Sequence, residues 1–218
     1  ESFPEYLDAL EKQERVIDIG AQMPHHPLRV YVMGDRAINF EDATAEDIAE
    51  MRKLTEEALK AGAFGFTTSR TESHRTTKGE RVPGRYAAAD ELIGIGQAFK
   101  NVDHGAYGML NDFEDEEAEF QWIETIGKET GRPLWFLLTD RYSDPERWRR
   151  LMKGAHAARN EGANVTAQIA GRAVGIILGF STSLTPFSGR PTFAALEGVP
   201  QPERLAKLKD PKVRAQIL

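Results

Sequence analysis

The chain has 218 residues, 40% of them hydrophobic and 28% charged, proportions that fit a globular domain with a real core and exclude a disordered or fibrous polymer. Its net charge of −6, with no long Lys/Arg run, argues against nucleic acid or an anionic membrane surface as the partner. The absence of cysteine excludes disulfides, a thiolate nucleophile and Cys–metal sites, and a reducing, cytoplasmic compartment is the expectation. No apolar run approaches the ~20 residues of a membrane span.

Reading along the chain, Phe3 to Lys12 forms a short helix with Ser2 as N-cap and Pro4 in its first turn. Arg15 to Gly20 and Leu28 to Met33 are short apolar runs expected to be strands. Thr44 to Ala61 is the clearest helix: Thr44, Glu46 and Asp47 mark its start, Ile48, Met51, Leu54, Ala58 and Leu59 recur at helical spacing, and Gly62 ends it. Strands then follow at Phe64–Thr68, Ala106–Leu110, Pro133–Leu138 and Asn164–Ile169, separated by helices over Glu91–Lys100, Glu114–Thr130 and Asp144–Glu161. Ser69 to Arg85 is a long polar loop, Gly175 to Pro200 is irregular, and Pro202 to Leu218 reads as an exposed pair of charged helices.

The strand–helix alternation predicts an α/β fold with a parallel sheet and helical crossovers. Neither Gly-x-Gly-x-x-Gly nor the Walker pattern occurs, which removes support for nucleotide-binding versions of that class. A closed (β/α) barrel needs ~250 residues and eight strands. Five or six are readable here, so the expected architecture is a partial TIM-type barrel. Residues 1–218 are expected to be one incomplete domain: an entry region over 1–63, βα repeats over 64–170, and an irregular segment with terminal helices over 171–218. Both ends read as interior sequence of a longer protein.

Several segments, in order, resemble the N-acyl-D-amino-acid deacylase (D-aminoacylase) branch of the amidohydrolase superfamily. They are Phe3 to Leu10, His25-His-Pro-Leu-Arg29 with Val32-Met-Gly34, Ala58 to Arg70, Val82-Pro-Gly84 with Ala87 and Glu91-Leu92, and finally Pro202-Glu-Arg204 with Lys209 to Arg214. The resemblance implies a metal-bearing barrel that hydrolyses the amide of N-acyl-D-amino acids, with zinc in the full-length parent activating a water and an Asp as acid/base. It also implies parts this chain does not contain: a His-x-His strand upstream, a catalytic Asp downstream, and a Cys ligand. Where the family places a His, this chain has Trp135-Phe-Leu-Leu-Thr-Asp140.

Barrel chemistry sits at the C-terminal ends of strands, so position ranks the candidates. His25 follows an apolar run and, with Asp112 and Asp140 at two strand ends, is the candidate metal set; the alternative for each Asp is a helix cap. Ser69, Arg70, His74 and Arg75 make a cationic loop suited to a carboxylate, and Gln168 and Arg172 close the last clear strand; these six are the candidate substrate-binding residues. His104 and His156 read as structural, and Trp135, Phe136 and Phe180 as core. Two functions stay open: a segment of an amide hydrolase inactive on its own, whose partner is a small N-acyl amino acid, and a non-catalytic α/β module with a carboxylate-binding Arg loop. An incomplete barrel leaves strand edges exposed, so a homo-oligomer through those edges is expected.

Overall fold

A computed structural model describes residues 2–76, 78–141, 143–173, 175, 177–179, 182 and 185–218. The chain divides into two compact units, Glu1–Thr76 with Arg81–Gly171, and Thr77–Glu80 with Arg172–Leu218. Phe180 lies outside the described residues.

The larger unit starts with α1 (Phe3–Glu11), where Ser2 and Glu5 form a reciprocal capping box. A two-residue strand β1 (Met23–Pro24) leads into α2 (His25–Met33), a single turn α3 (Asp35–Ile38) and α4 (Ala45–Lys60), which Thr44 and Asp47 cap. Then come β2 (Gly65–Arg70), α5 (Ala89–Gly96) with a 3-10 turn over Gln97–Asn101, β3 (Ala106–Asn111), α6 (Glu116–Thr130), β4 (Leu134–Leu137), α7 (Arg147–Asn160) and β5 (Val165–Gln168). Among the described residues the sheet has five strands, all parallel, in the order β1-β2-β3-β4-β5. Sequential order with a helical crossover at every step makes this an arc of a (β/α) barrel.

The pleat sorts the strand residues. Phe66, Tyr107, Met109, Leu134, Phe136 and Val165 are buried and join Met51, Leu59, Leu92, Ile95, Ile123, Ile126 and Leu151 of the helices in one core. The alternate residues Thr67, Leu110, Trp135, Leu137, Thr166 and Gln168 form the inner face, turned away from the helices, and are half-buried or exposed. Trp135 is therefore not a core residue as expected, whereas Phe136 is.

Two expected strands are corrected. Val16, Ile17 and Ile19 are exposed and their segment bends at Val16–Ile17 without forming a strand; the Phe64 amide donates to the Ala21 carbonyl, and pairing proper starts at Met23. Leu28–Met33 lies in α2. The buried residues of that helix are His25, Leu28, Arg29 and Met33, which recur at i, i+3, i+4 and i+8. Two of the four are polar, which hid the helical period behind an apparent apolar run.

In the smaller unit, α8 (Pro191–Ala194), α9 (Gln201–Lys209) and α10 (Pro211–Ile217) each begin with Pro in the first turn. Phe193, Leu196 and Ile217 are its buried apolar residues, and the Arg204 guanidinium lies 4.8 Å from the Phe193 ring centre. No helix among the described residues is long and apolar enough to cross a membrane.

Gly65 opens β2 with φ +150°, and a side chain there would run into the Ala106 carbonyl of the paired strand. Gly131, the αL C-cap of α6 at φ +66°, has open space around it. Gly65→Ala is expected to cost at least about 2 kcal/mol in urea denaturation and Gly131→Ala only about 1 kcal/mol. Equal losses would contradict the clash.

Candidate functional site

The first polar cluster lies between the sheet and its helices. His25 opens α2, Arg29 stands one turn later on the same face, and Glu91 occupies the first turn of α5; all three are at most 2% exposed. His25 Nε2 lies 2.8 Å from Glu91 Oε1, and its Nδ1 lies 2.8 Å from the Thr68 hydroxyl of β2. Arg29 Nε donates to both Glu91 oxygens at 2.9 and 3.2 Å, while its terminal nitrogens donate to the carbonyls of Ala37, Pro83 and Glu41. Burial pushes the Glu91 carboxyl up, but the hydrogen bonds and positive charge of His25 and Arg29 outweigh it, so it sits below the usual carboxylate value.

His26 accepts the Gly84 amide on Nδ1 at 3.0 Å, and its Nε2 is buried without a hydrogen-bond partner. Burial first, then the charges of His25, His74 and Arg29, pull its pKa down to about 3. Gly84 has to be glycine for close approach: a Cβ there would meet both the His25 and His26 rings.

The second cluster sits at the C-terminal ends of β2, β3 and β4. Arg70 is fully engaged, with Nε and one terminal nitrogen on Glu119 and the other on the Ala87 carbonyl. Glu119 also accepts from Asn111 and the Trp122 indole, both at 2.7 Å. Asp112 follows β3, and the next residue, Phe113, is held at φ +47°, an uncommon conformation for a non-glycine residue. The Asp112 carboxylate accepts from the Thr71 hydroxyl, the Glu72 amide and Arg141, and its carbonyl accepts from the buried Arg147. Around it, Arg75, Arg81 and Arg85 converge on Glu72, and Arg85 also reaches Glu114 at 2.6 Å. Four guanidinium groups (Arg75, Arg81, Arg85, Arg141) thus pair with three carboxylates (Glu72, Asp112, Glu114), and Arg147 lies behind them facing Asp112, Glu116 and Asp144. Burial, then the nearby Arg141 charge, pull the Arg147 guanidinium below its ordinary value.

Of the residues expected to bind substrate, Ser69 and His74 are hydrogen-bonded to each other, Arg75 lies on the rim, and Arg70 is turned to the helix side and neutralised by Glu119. Gln168 is exposed at the end of β5, and Arg172 is exposed with a donor on the Ala173 carbonyl. His25, Asp112 and Asp140 are not brought together. His25 is in the buried layer, Asp112 on the rim, and Asp140 exposed. The residues present do not fit a metal ion: no metal-binding group of three or more His, Asp or Glu forms among the described residues. Both nitrogens of His25 are taken by Thr68 and Glu91, and the inner-face strand ends carry Leu110 and Leu137. What the cluster offers instead is ion pairing and hydrogen bonding.

Sequence reasoning missed Glu91, Thr68, Glu119, Arg81, Arg85 and Arg147; of the adjacent His25 and His26 it favoured His25, and it placed Arg141 beside Asp140 at a strand end without giving it a role. A usable signal existed for two of them: Arg81 and Arg85 flank Val82-Pro-Gly84, a turn that presents both to one place. Glu91 carried none, because a carboxylate in a first helical turn is usually there for the dipole.

Glu91→Ala leaves the buried Arg29 charge without its partner and is expected to cost about 3–5 kcal/mol in denaturant unfolding; a loss under about 1 kcal/mol would contradict the cluster's role. His26 predicts a pH effect. Its proton binds near 6.5 in the unfolded chain and near 3 in the folded one, so stability falls as pH is lowered from 6.5 toward 3. Glu91 acts only below 4.5, so it does not contribute between pH 7 and 5. There the urea midpoint of the wild type is expected to drop and that of His26→Asn to stay level; a parallel drop in both would refute the assignment.

Comparison with known proteins agrees with this architecture. A D-aminoacylase from Alcaligenes xylosoxydans xylosoxydans is 41% identical over 138 residues, 62% of this chain and 25% of that protein. An N-acyl-D-glutamate deacylase from the same organism is 29% identical over 58% of this chain and 24% of its own length. Two solved D-aminoacylase structures, one of a mutant in complex with CuCl2 and one concerning the role of its binuclear metal center, superpose with TM-scores of 0.62 and 0.61 at 22% identity. Each covers 77% of this chain and 33% of the neighbour, so the chain spans about a quarter to a third of the proteins it matches. The match to the amidohydrolase family runs over residues 1–218, and the chain belongs to that family.

Proposed function

We propose that this chain is a segment of a hydrolase that cleaves the amide C–N bond of N-acyl-D-amino acids, and that its own part is to hold the substrate carboxylate. The observation that carries this reading is the set of partly exposed guanidinium groups, Arg75, Arg81 and Arg141, at the C-terminal ends of β2–β4, where barrel enzymes bind their substrates. An N-acyl amino acid presents one free carboxylate, which a guanidinium binds with two parallel N–H donors. Arg75, Arg81 and Arg141 remain partly exposed, so their outer donors face solvent. Arg70, saturated by Glu119, orients the rim and does not grip substrate.

The family and the deacylase relatives support the amide bond as the one cleaved. In this reading zinc belongs to the complete enzyme, whose ligands lie outside the chain, and the chain alone binds without turning substrate over. Ser69 and His74, hydrogen-bonded beside the rim, orient the polar end of the bound molecule and screen it from water.

Calorimetric titration tests this. N-acetyl-D-leucine is expected to bind, its neutral carboxamide analogue about tenfold more weakly, and Arg141→Gln is expected to remove most of the difference. Affinity should fall with added salt. Equal binding of acid and carboxamide would sink the reading.

A further inference from the structure

The loop between β2 and α5 gathers several donors around one carboxylate. Glu72 Oε2 accepts from an Arg75 terminal nitrogen at 2.8 Å and from Arg81 Nε at 3.1 Å, and Glu72 Oε1 accepts from the Tyr86 hydroxyl at 2.9 Å. These residues belong to a single loop, drawn together by an antiparallel backbone bridge between Arg75 and Arg81, so the cradle is assembled locally.

One donor of the cradle is left over. The Arg85 side chain is 5% exposed, and its Nε is buried without a hydrogen-bond partner among the described residues. Glu72 Oε1 stands 3.5 Å from that nitrogen, an ion pair but not a hydrogen bond. A buried donor left unmade is costly, so Glu72 fills the cradle incompletely. The cations do not depend on Glu72 for their placement. Arg81 and Arg85 lie 5.6 and 5.1 Å from the centre of the Tyr86 ring, which supports both guanidinium groups from the side. Glu72 is half-buried and has a way out to solvent. Hydrogen bonds from Arg81 and then Tyr86 hold its carboxyl below the usual carboxylate range, so at neutral pH it is an anion.

We propose that Glu72 is a resident counter-ion in the carboxylate seat of this chain, and that a ligand carboxylate binds by exchanging with it on Arg75, Arg81 and Arg85. The inference rests on the reading that the chain holds a substrate carboxylate, and it names the seat and the group that guards it. Exchange conserves the charge in the cradle, and a bidentate carboxylate gives Arg85 Nε the acceptor that Glu72 does not. Arg141 acts on the same seat through Asp112: it pairs the carboxylate that lies 3.8 Å from an Arg85 terminal nitrogen.

The test is calorimetric titration of the chain with N-acetyl-D-leucine and its carboxamide. Glu72→Gln is expected to raise affinity for the acid about tenfold and leave the carboxamide unchanged, because the seat no longer spends most of its time occupied. Tyr86→Phe keeps the ring and the net charge but drops one hydrogen bond to Glu72, and is expected to raise acid affinity about threefold. Glu129→Gln removes the same charge beside Lys100, away from the loop, and is expected to change neither ligand. Unfolding midpoints verify each fold. If neither the wild type nor Glu72→Gln prefers the acid, the carboxylate reading itself fails and the inference with it. If the wild type prefers the acid while Glu72→Gln binds it no more tightly, or if Glu129→Gln gains as much, the inference alone is overturned.

Discussion

One buried carboxylate organises the larger unit. Glu91 binds His25 and Arg29 on α2 from its place on α5, and His25 in turn holds Thr68 of β2. A single out-of-water network thereby fixes two helices and a strand, and Arg29 extends it to three backbone carbonyls at Ala37, Glu41 and Pro83. Buried ion pairs contribute little net stability compared with well-packed apolar side chains, so their value here is specificity. Only one docking of α2 satisfies the carboxylate, both ring nitrogens and the guanidinium together. That docking also sets the Val82-Pro-Gly84 turn, from which Arg81 and Arg85 reach the strand ends.

The parts of the fold legible in the sequence were those governed by apolar periodicity and end signals. α4 shows both in full, with Thr44 and Asp47 at one end, Gly62 beyond the other, and Met51, Ala58 and Leu59 facing the core. The parallel strands from β2 onward were legible because continuous apolar runs alternate with amphipathic helices. α2 was not, because its buried face includes His25 and Arg29, and hydrophobicity reasoning assigns such residues to solvent unless their partner is known. That partner lies 66 residues from His25. The same limit explains the site. Arg75 was found because it sits in an evidently cationic loop, while Arg141 and Arg147 join it only through the pairing of β3 and β4.

At the strand ends this chain places Leu110, Leu137 and a half-buried indole on the inner face, and gathers its charges at the outer rim.

The spatial order of the strands equals their order along the chain, and this has a kinetic meaning. Each pairing closes over a single helical crossover, so every strand pairs with its neighbour in sequence. The arc can grow by successive addition of strand–helix units, each templated on the last, in the manner of a repeat array whose cooperativity is carried by nearest neighbours. The weak link is then β1, two residues long. Fraying should begin there and travel inward until it meets the Glu91 network, which fixes α2 to α5 and β2.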